Sequence, residues 1–123
     1  MDVNTASADQ DVFQFVDVRE EYEFNAGHIR GSMHIPLMDL PGRFDEIPRN
    51  RTVVAVCQIG QRSDLAARFL IEQGFDAHNL EGGLARWQAA GLPVDSPEGP
   101  AGRVVDGFAR DFDGLLGDRT EPS

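Results

Sequence analysis

The strongest constraint on the fold is the run Thr52-Val53-Val54-Ala55-Val56. β-Branched side chains are stiff at χ1 and favour extended backbone, and a run without polar alternation suits a strand covered on both faces of a parallel sheet. The run ends at Cys57, and a short loop containing Gly60 leads on to residues 63–73. There Leu65, Ala66, Phe69 and Leu70 recur at helical spacing, and Gly74 supplies a stop. Strand, tight loop and helix in that order predict one unit of an α/β sheet.

Comparable units flank it. Residues 12–18 form a second near-continuous apolar run, followed by a short helical segment over 19–26 that Gly27 ends. Residues 33–35 predict a short strand closed by Pro36, and Asp39 is placed to cap a helix with Pro41 in its first turn that runs toward Ile47. Residues 77–80 predict a weak strand, 81–83 a turn, and 84–90 a helix stopped by Gly91. The alternation implies one α/β domain over residues 12–95, with right-handed crossovers. Residues 1–11 are polar and predict an edge strand at most. Residues 96–123 begin as a Pro- and Gly-rich linker, beyond which Val104, Val105, Phe108, Phe112, Leu115 and Leu116 form one apolar stripe. That stripe predicts an amphipathic helix, either packed on the domain or used for docking or dimerisation, so monomer and homodimer both fit.

The formal net charge is −10, and all 11 basic residues are arginine. A nucleic-acid partner is not expected, because phosphate backbones are bound by basic surfaces. No apolar run is long enough to cross a membrane, and Met1 is followed by Asp2 rather than by a basic leader, so a cytoplasmic location is the expectation. Any positive field for an anionic substrate must be local, made by a few arginines or by backbone amides.

Cys57 is the single cysteine, which rules out an internal disulfide, a Cys-x-x-Cys redox pair and a Cys-rich zinc site. Its position after a buried strand puts it at the carboxyl edge of the sheet, where α/β folds bind ligands. The loop Cys57-Gln58-Ile59-Gly60-Gln61-Arg62 runs straight into a helix starting near Ser63. Its amides and those of the first helical turn can converge as an anion cradle backed by the helix dipole. A sulfur held there is stabilised as a thiolate, a nucleophile that can carry a second sulfur atom as a persulfide.

Asp17-Val18-Arg19-Glu20, Gly27-His28-Ile29-Arg30-Gly31-Ser32, the loop 57–62, and Glu81-Gly82-Gly83 with Trp87 together resemble the rhodanese family, over residues 12–94. The resemblance implies a five-stranded parallel sheet flanked by helices on both faces, a persulfide on Cys57, and no metal or organic cofactor. It implies transfer of sulfane sulfur from a small anionic donor (thiosulfate, persulfide or polysulfide) to cyanide, a thiol or a protein acceptor. Phosphatases of the same fold carry a loop resembling Cys-x5-Arg, whereas the spacing here is Cys-x4-Arg, which favours sulfur over phosphoryl transfer. Thiosulfate-specific members often have basic residues where this chain has Gln58 and Ile59, and some have arginine where Glu23 stands. That pattern implies a persulfide or polysulfide donor in preference to dianionic thiosulfate.

Gln58, Ile59, Gly60, Gln61, Arg62 and Ser63 are thus the expected substrate-binding residues. The charge of Arg62 opposes the helix dipole, which suggests that it guides an anion, although it also suits a solvated helix start. Asp17 and Arg19 read as structural support, with loop amides or Glu20 and Glu23 as expected partners. His28 reads as a framework residue bonded within its turn, Trp87 as core, and His34 and His78 are assigned no role. Two other functions stay open on the sequence alone: a sensor or adaptor in which Cys57 is incidental, and a phosphatase or arsenate reductase using the same loop.

Overall fold

A computed structural model describes residues 1–96. Strands β1 (Gln14–Asp17), β2 (Met33–His34), β3 (Val53–Val56) and β4 (Ala77–Asn79) form one parallel sheet in the order β2-β1-β3-β4. β1 and β3 run in register from Gln14 opposite Val53 to Asp17 opposite Val56, and Ala55 of β3 lies opposite Asn79 of β4. The helices are α1 (Val3–Ala8), α2 (Glu21–Ala26), α3 (Leu40–Arg43), α4 (Gln61–Glu72) and α5 (Gly83–Ala89).

The two central strands, β1 and β3, are buried along their whole length, and alternate side chains enter two separate cores. Val53, Ala55 and Cys57 join Leu40 of α3 and Ala66, Ala67 and Leu70 of α4 on one face. Val54 and Val56 join Val3 and Ala6 of α1 and Leu84 and Trp87 of α5 on the other. Cys57 keeps the parity of β3 one residue beyond its end, and this aims its side chain at the α4 face. Trp87 is fully buried, meets Phe15 edge-on and donates its indole N–H to Pro93 O at 3.0 Å.

Three expectations need correction. The sheet has four strands among the described residues, not five, because the segment expected to add an edge strand is helix α1. Asp2 caps that helix, its carboxylate accepting from Thr5 N at 2.8 Å, and Val3 and Ala6 fall three apart on the face that meets α5. The helix expected from Asp39 to Ile47 is a single α turn, Leu40–Arg43, between 3₁₀ turns at Leu37–Asp39 and Phe44–Glu46, and Asp39 provides no side-chain cap. α4 begins at Gln61, two residues before the expected start. Gly60, at φ 105°, turns the chain directly into it.

The expected C-terminal helix lies outside the described residues, as does most of the 96–123 segment. Among the described residues no helix is long and apolar enough to cross a membrane.

Candidate active site

The loop that follows β3 is shaped from outside by α5. Leu84 N donates to Cys57 O and Ala85 N to Gln58 O, each at 2.9 Å. Those carbonyls therefore turn away from the sulfur. The approach is so close that a Cβ on Gly83 would stand 2.6 Å from both carbonyl oxygens, so only glycine fits.

Inside the loop, three donors converge on Cys57 Sγ. They are Gly60 N–H at 3.1 Å, Ser63 N–H at 3.3 Å and the Ser63 hydroxyl at 3.2 Å. Two are main-chain groups at the start of the 12-residue α4, where unpaired N–H groups and the helix dipole favour negative charge. Ser63 is buried with Ala66, Ala67 and Leu70, at the i, i+3, i+4, i+7 spacing that faces the sheet. A polar residue occupies the apolar face at the one place where that face meets sulfur. Leu65, expected on this stripe, is 58% exposed.

The family model for the rhodanese-like domain matches residues 2–90, from the cap of α1 to the end of α5. This chain belongs to the rhodanese-like domain family. It is 39% identical over 93 residues to a sulfurtransferase of Allochromatium vinosum, covering 75% of this chain and 87% of that protein. It is 36% identical over 89 residues to the thiosulfate sulfurtransferase GlpE of Pseudomonas aeruginosa, covering 72% and 80% of the two chains. The crystal structure of a rhodanese-related protein from Thermoplasma volcanium superposes with a TM-score of 0.74 at 29% identity, covering 76% of this chain and 94% of that one. The chain is accordingly a sulfurtransferase of the rhodanese-like family.

In this rhodanese-like domain the charged residues near the loop are matched in pairs. Asp17 and Arg19 are both fully buried, and the Asp17 carboxylate accepts from Arg19 Nε at 2.9 Å and Nη2 at 2.8 Å. Arg19 Nη2 also donates to Gly27 O at 2.7 Å, tying the end of β1 to the turn after α2. Contrary to expectation, Glu20 and Glu23 are not its partners. Glu23, buried in α2, instead accepts two parallel bonds from Arg62 at 2.9 Å each, and a third from Glu20 N at 2.9 Å. The Arg62 guanidinium thus braces the Cys57 loop against α2.

The remaining predicted residues divide by burial. Gln58 is buried, and its Oε1 has no hydrogen-bond partner among the described residues. Ile59 is 37% exposed and Gln61 exposed, so both lie at the rim. His28 bonds through Nδ1 to Phe24 O at 2.9 Å and stacks on the Phe24 ring, within its own turn. His34, to which the sequence assigned nothing, bonds to Arg19 O at 2.8 Å and stacks on Phe24's ring as well. Among the described residues, no cluster of His, Cys, Asp and Glu is of a size to hold a metal.

Two residues at the site escaped the sequence reading. The sequence offers Glu23 as a departure from a family pattern and as a partner for Arg19, whereas its actual partner, Arg62, lies 39 positions away. Asn79 was read as part of a weak strand, yet its side chain bonds both Ser63 Oγ and Gly60 O. The available signal was its place at the end of a strand next to β3, since the last residues of adjacent parallel strands border the same rim.

Proposed function

We propose that Cys57 is the nucleophile of this sulfurtransferase and carries sulfane sulfur as a persulfide between two displacements. In the first, the Cys57 thiolate attacks the outer sulfur of the donor. A new S–S bond forms, the donor's own bond to that sulfur breaks, and its electron pair leaves with the donor remnant, a thiolate or sulfite. In the second, a nucleophilic acceptor, cyanide or a thiolate, attacks the outer sulfur of the persulfide. The S–S bond breaks, and the pair returns to Sγ. Both steps balance with donor and acceptor alone.

The observation that carries this reading is the convergence of Gly60 N–H, Ser63 N–H and Ser63 Oγ on one sulfur. Each stabilises negative charge on Sγ, which is present before the first displacement and restored by the second. The Gln58 to Ser63 segment forms the walls of the cradle. Asp17, Arg19 and His28 hold the neighbouring turns in place. A lone cysteine cannot discharge its persulfide into an internal disulfide, a property suited to the thiol-rich cytoplasm.

The preferred donor is a persulfide or polysulfide rather than thiosulfate, and the acceptor is a thiol or a protein thiol. Gln58 and Ile59 add no charge, Arg62 is engaged by Glu23, and the chain as a whole carries −10. A dianion gains little from such surroundings. The test is the intact mass after incubation with polysulfide, which should rise by one sulfur atom in the wild type and stay unchanged in Cys57→Ser. Equal gain in both proteins would place the sulfur elsewhere and overturn the reading.

A further inference from the structure

We propose that Asn79 is a positioning residue that governs the ionisation of Cys57 by competing with its sulfur for the single hydrogen of the Ser63 hydroxyl. The inference rests on the reading of Cys57 as the nucleophile, and it adds what sets that nucleophile's resting state.

The geometry leaves little freedom. Asn79 presents one side-chain atom to Gly60 O at 3.1 Å. A carbonyl oxygen only accepts, so that atom must be the amide nitrogen, and the amide oxygen must face Ser63. Oδ1 also only accepts, so the contact between it and Ser63 Oγ is a bond only when the hydroxyl donates to Asn79. The same Oγ stands 3.2 Å from Cys57 Sγ. One hydrogen therefore faces two acceptors, and the contact to Asn79 is the shorter of the two.

Each state of the sulfur selects a different arrangement. A protonated Cys57 donates S–H to Ser63 Oγ, which donates to Asn79 Oδ1, and all three groups are satisfied in one chain. On ionisation the proton leaves to solvent while its electron pair stays on sulfur, and the hydroxyl rotates its hydrogen from Asn79 to Sγ. Asn79 then loses the bond that it held. By this competition Asn79 favours the protonated form of an idle sulfur, whereas the two main-chain amides favour the anion. The balance between these two influences sets how readily the sulfur gives up its proton before the first displacement.

Among the described residues, the charged and titratable groups on the surrounding elements are the Asp17–Arg19, Glu23–Arg62, Asp64–Arg68, Arg43–Glu46 and His78–Asp76 pairs, Glu81 with the Met1 ammonium, and Glu21, Asp39, Glu72 and Arg86. The bonds of the Asn79 side chain go to Ser63 and Gly60 and to none of these groups. The Met1 ammonium meets Asn79 through its main-chain oxygen, which substitution retains.

The test follows the ultraviolet absorbance of the thiolate against pH in the full chain, with Cys57→Ser as the blank. At a pH where part of the wild type is ionised, Asn79→Ala should raise the ratio of thiolate to thiol by about fivefold, the equivalent of one hydrogen bond of about 1 kcal/mol. Ser63→Ala should lower that ratio. Adding Asn79→Ala to Ser63→Ala should then change nothing further. A merely structural Asn79 predicts the opposite sign, since releasing Gly60 would loosen one of the sulfur's own donors. A fall in the ratio, no change, or an equal rise with and without Ser63 would each overturn the proposal. The titration uses no sulfur donor, so failure of persulfide formation and failure of this competition are separate results.

Discussion

At the end of β3 the sulfur of Cys57 meets, among the described residues, uncharged donors: the amides of Gly60 and Ser63 and one hydroxyl. At the end of β1 and on α2, by contrast, each buried carboxylate meets a guanidinium: Asp17 takes Arg19 and Glu23 takes Arg62. The first region is built to receive a charge, and the second has already cancelled its own. Oriented dipoles act over the length of a bond while net charge acts diffusely, so an acidic protein can stabilise an anion locally through such dipoles. The arginines nearest the site, Arg19 and Arg62, each pair with a buried carboxylate.

The largest effect should come from breaking the matched region. Arg19→Met leaves the Asp17 carboxylate buried without its charged partner, and urea denaturation should show a loss of about 3–5 kcal/mol. Replacing Asp17 and Arg19 together by apolar residues of similar volume should recover most of that loss, which would show that the penalty belongs to the orphaned charge.

A smaller effect is expected where the dipolar region leans on α5. Gly83→Ala forces a methyl group against the carbonyls of Cys57 and Gln58 at a left-handed φ of 61°. We expect it to cost about 1–3 kcal/mol in the same assay and to slow persulfide formation further than its stability loss accounts for, because the loop itself must shift. Ser63→Ala removes one donor without disturbing the backbone. It should slow persulfide formation by about tenfold, as measured by stopped-time intact mass, with little change in stability, in keeping with one hydrogen bond to a charged group.

The smallest effect lies far from sulfur. The bond from Thr5 N holds the Asp2 carboxyl below its ordinary value of 3.8. A carboxyl lowered by folding stabilises the fold above its unfolded value and ceases to do so as acid protonates it. Asp2→Ala should therefore weaken amide-exchange protection in α1 at neutral pH, and the difference from wild type should vanish as the pH drops well below 3.8.

How much of this was legible follows the range of the interactions. β3 could be read from Val53 to Val56 because each residue is buried and local preference agrees with burial. The Cys57 loop could be read because strand, Gly60 and helix are contiguous. Helix α1 could not, since its six residues, VNTASA, have modest helix propensity and depend on the Asp2 cap and on docking against α5. The Glu23–Arg62 and Ser63–Asn79 contacts join positions 39 and 16 residues apart, and no local pattern announces them. The strand count failed for the same reason as α1.

The central claim is that neutral donors, not a guanidinium, hold the sulfur's charge. Its most direct test is the double variant Glu23→Gln/Arg62→Gln, which removes both charges of the brace and leaves the amides of Gly60 and Ser63 untouched. Intact mass after polysulfide treatment should show one added sulfur on Cys57 in the folded double variant, because the three donors to Sγ are retained. A folded double variant that gains no sulfur, as Cys57→Ser should gain none, would contradict the account and return the role of anion holder to Arg62.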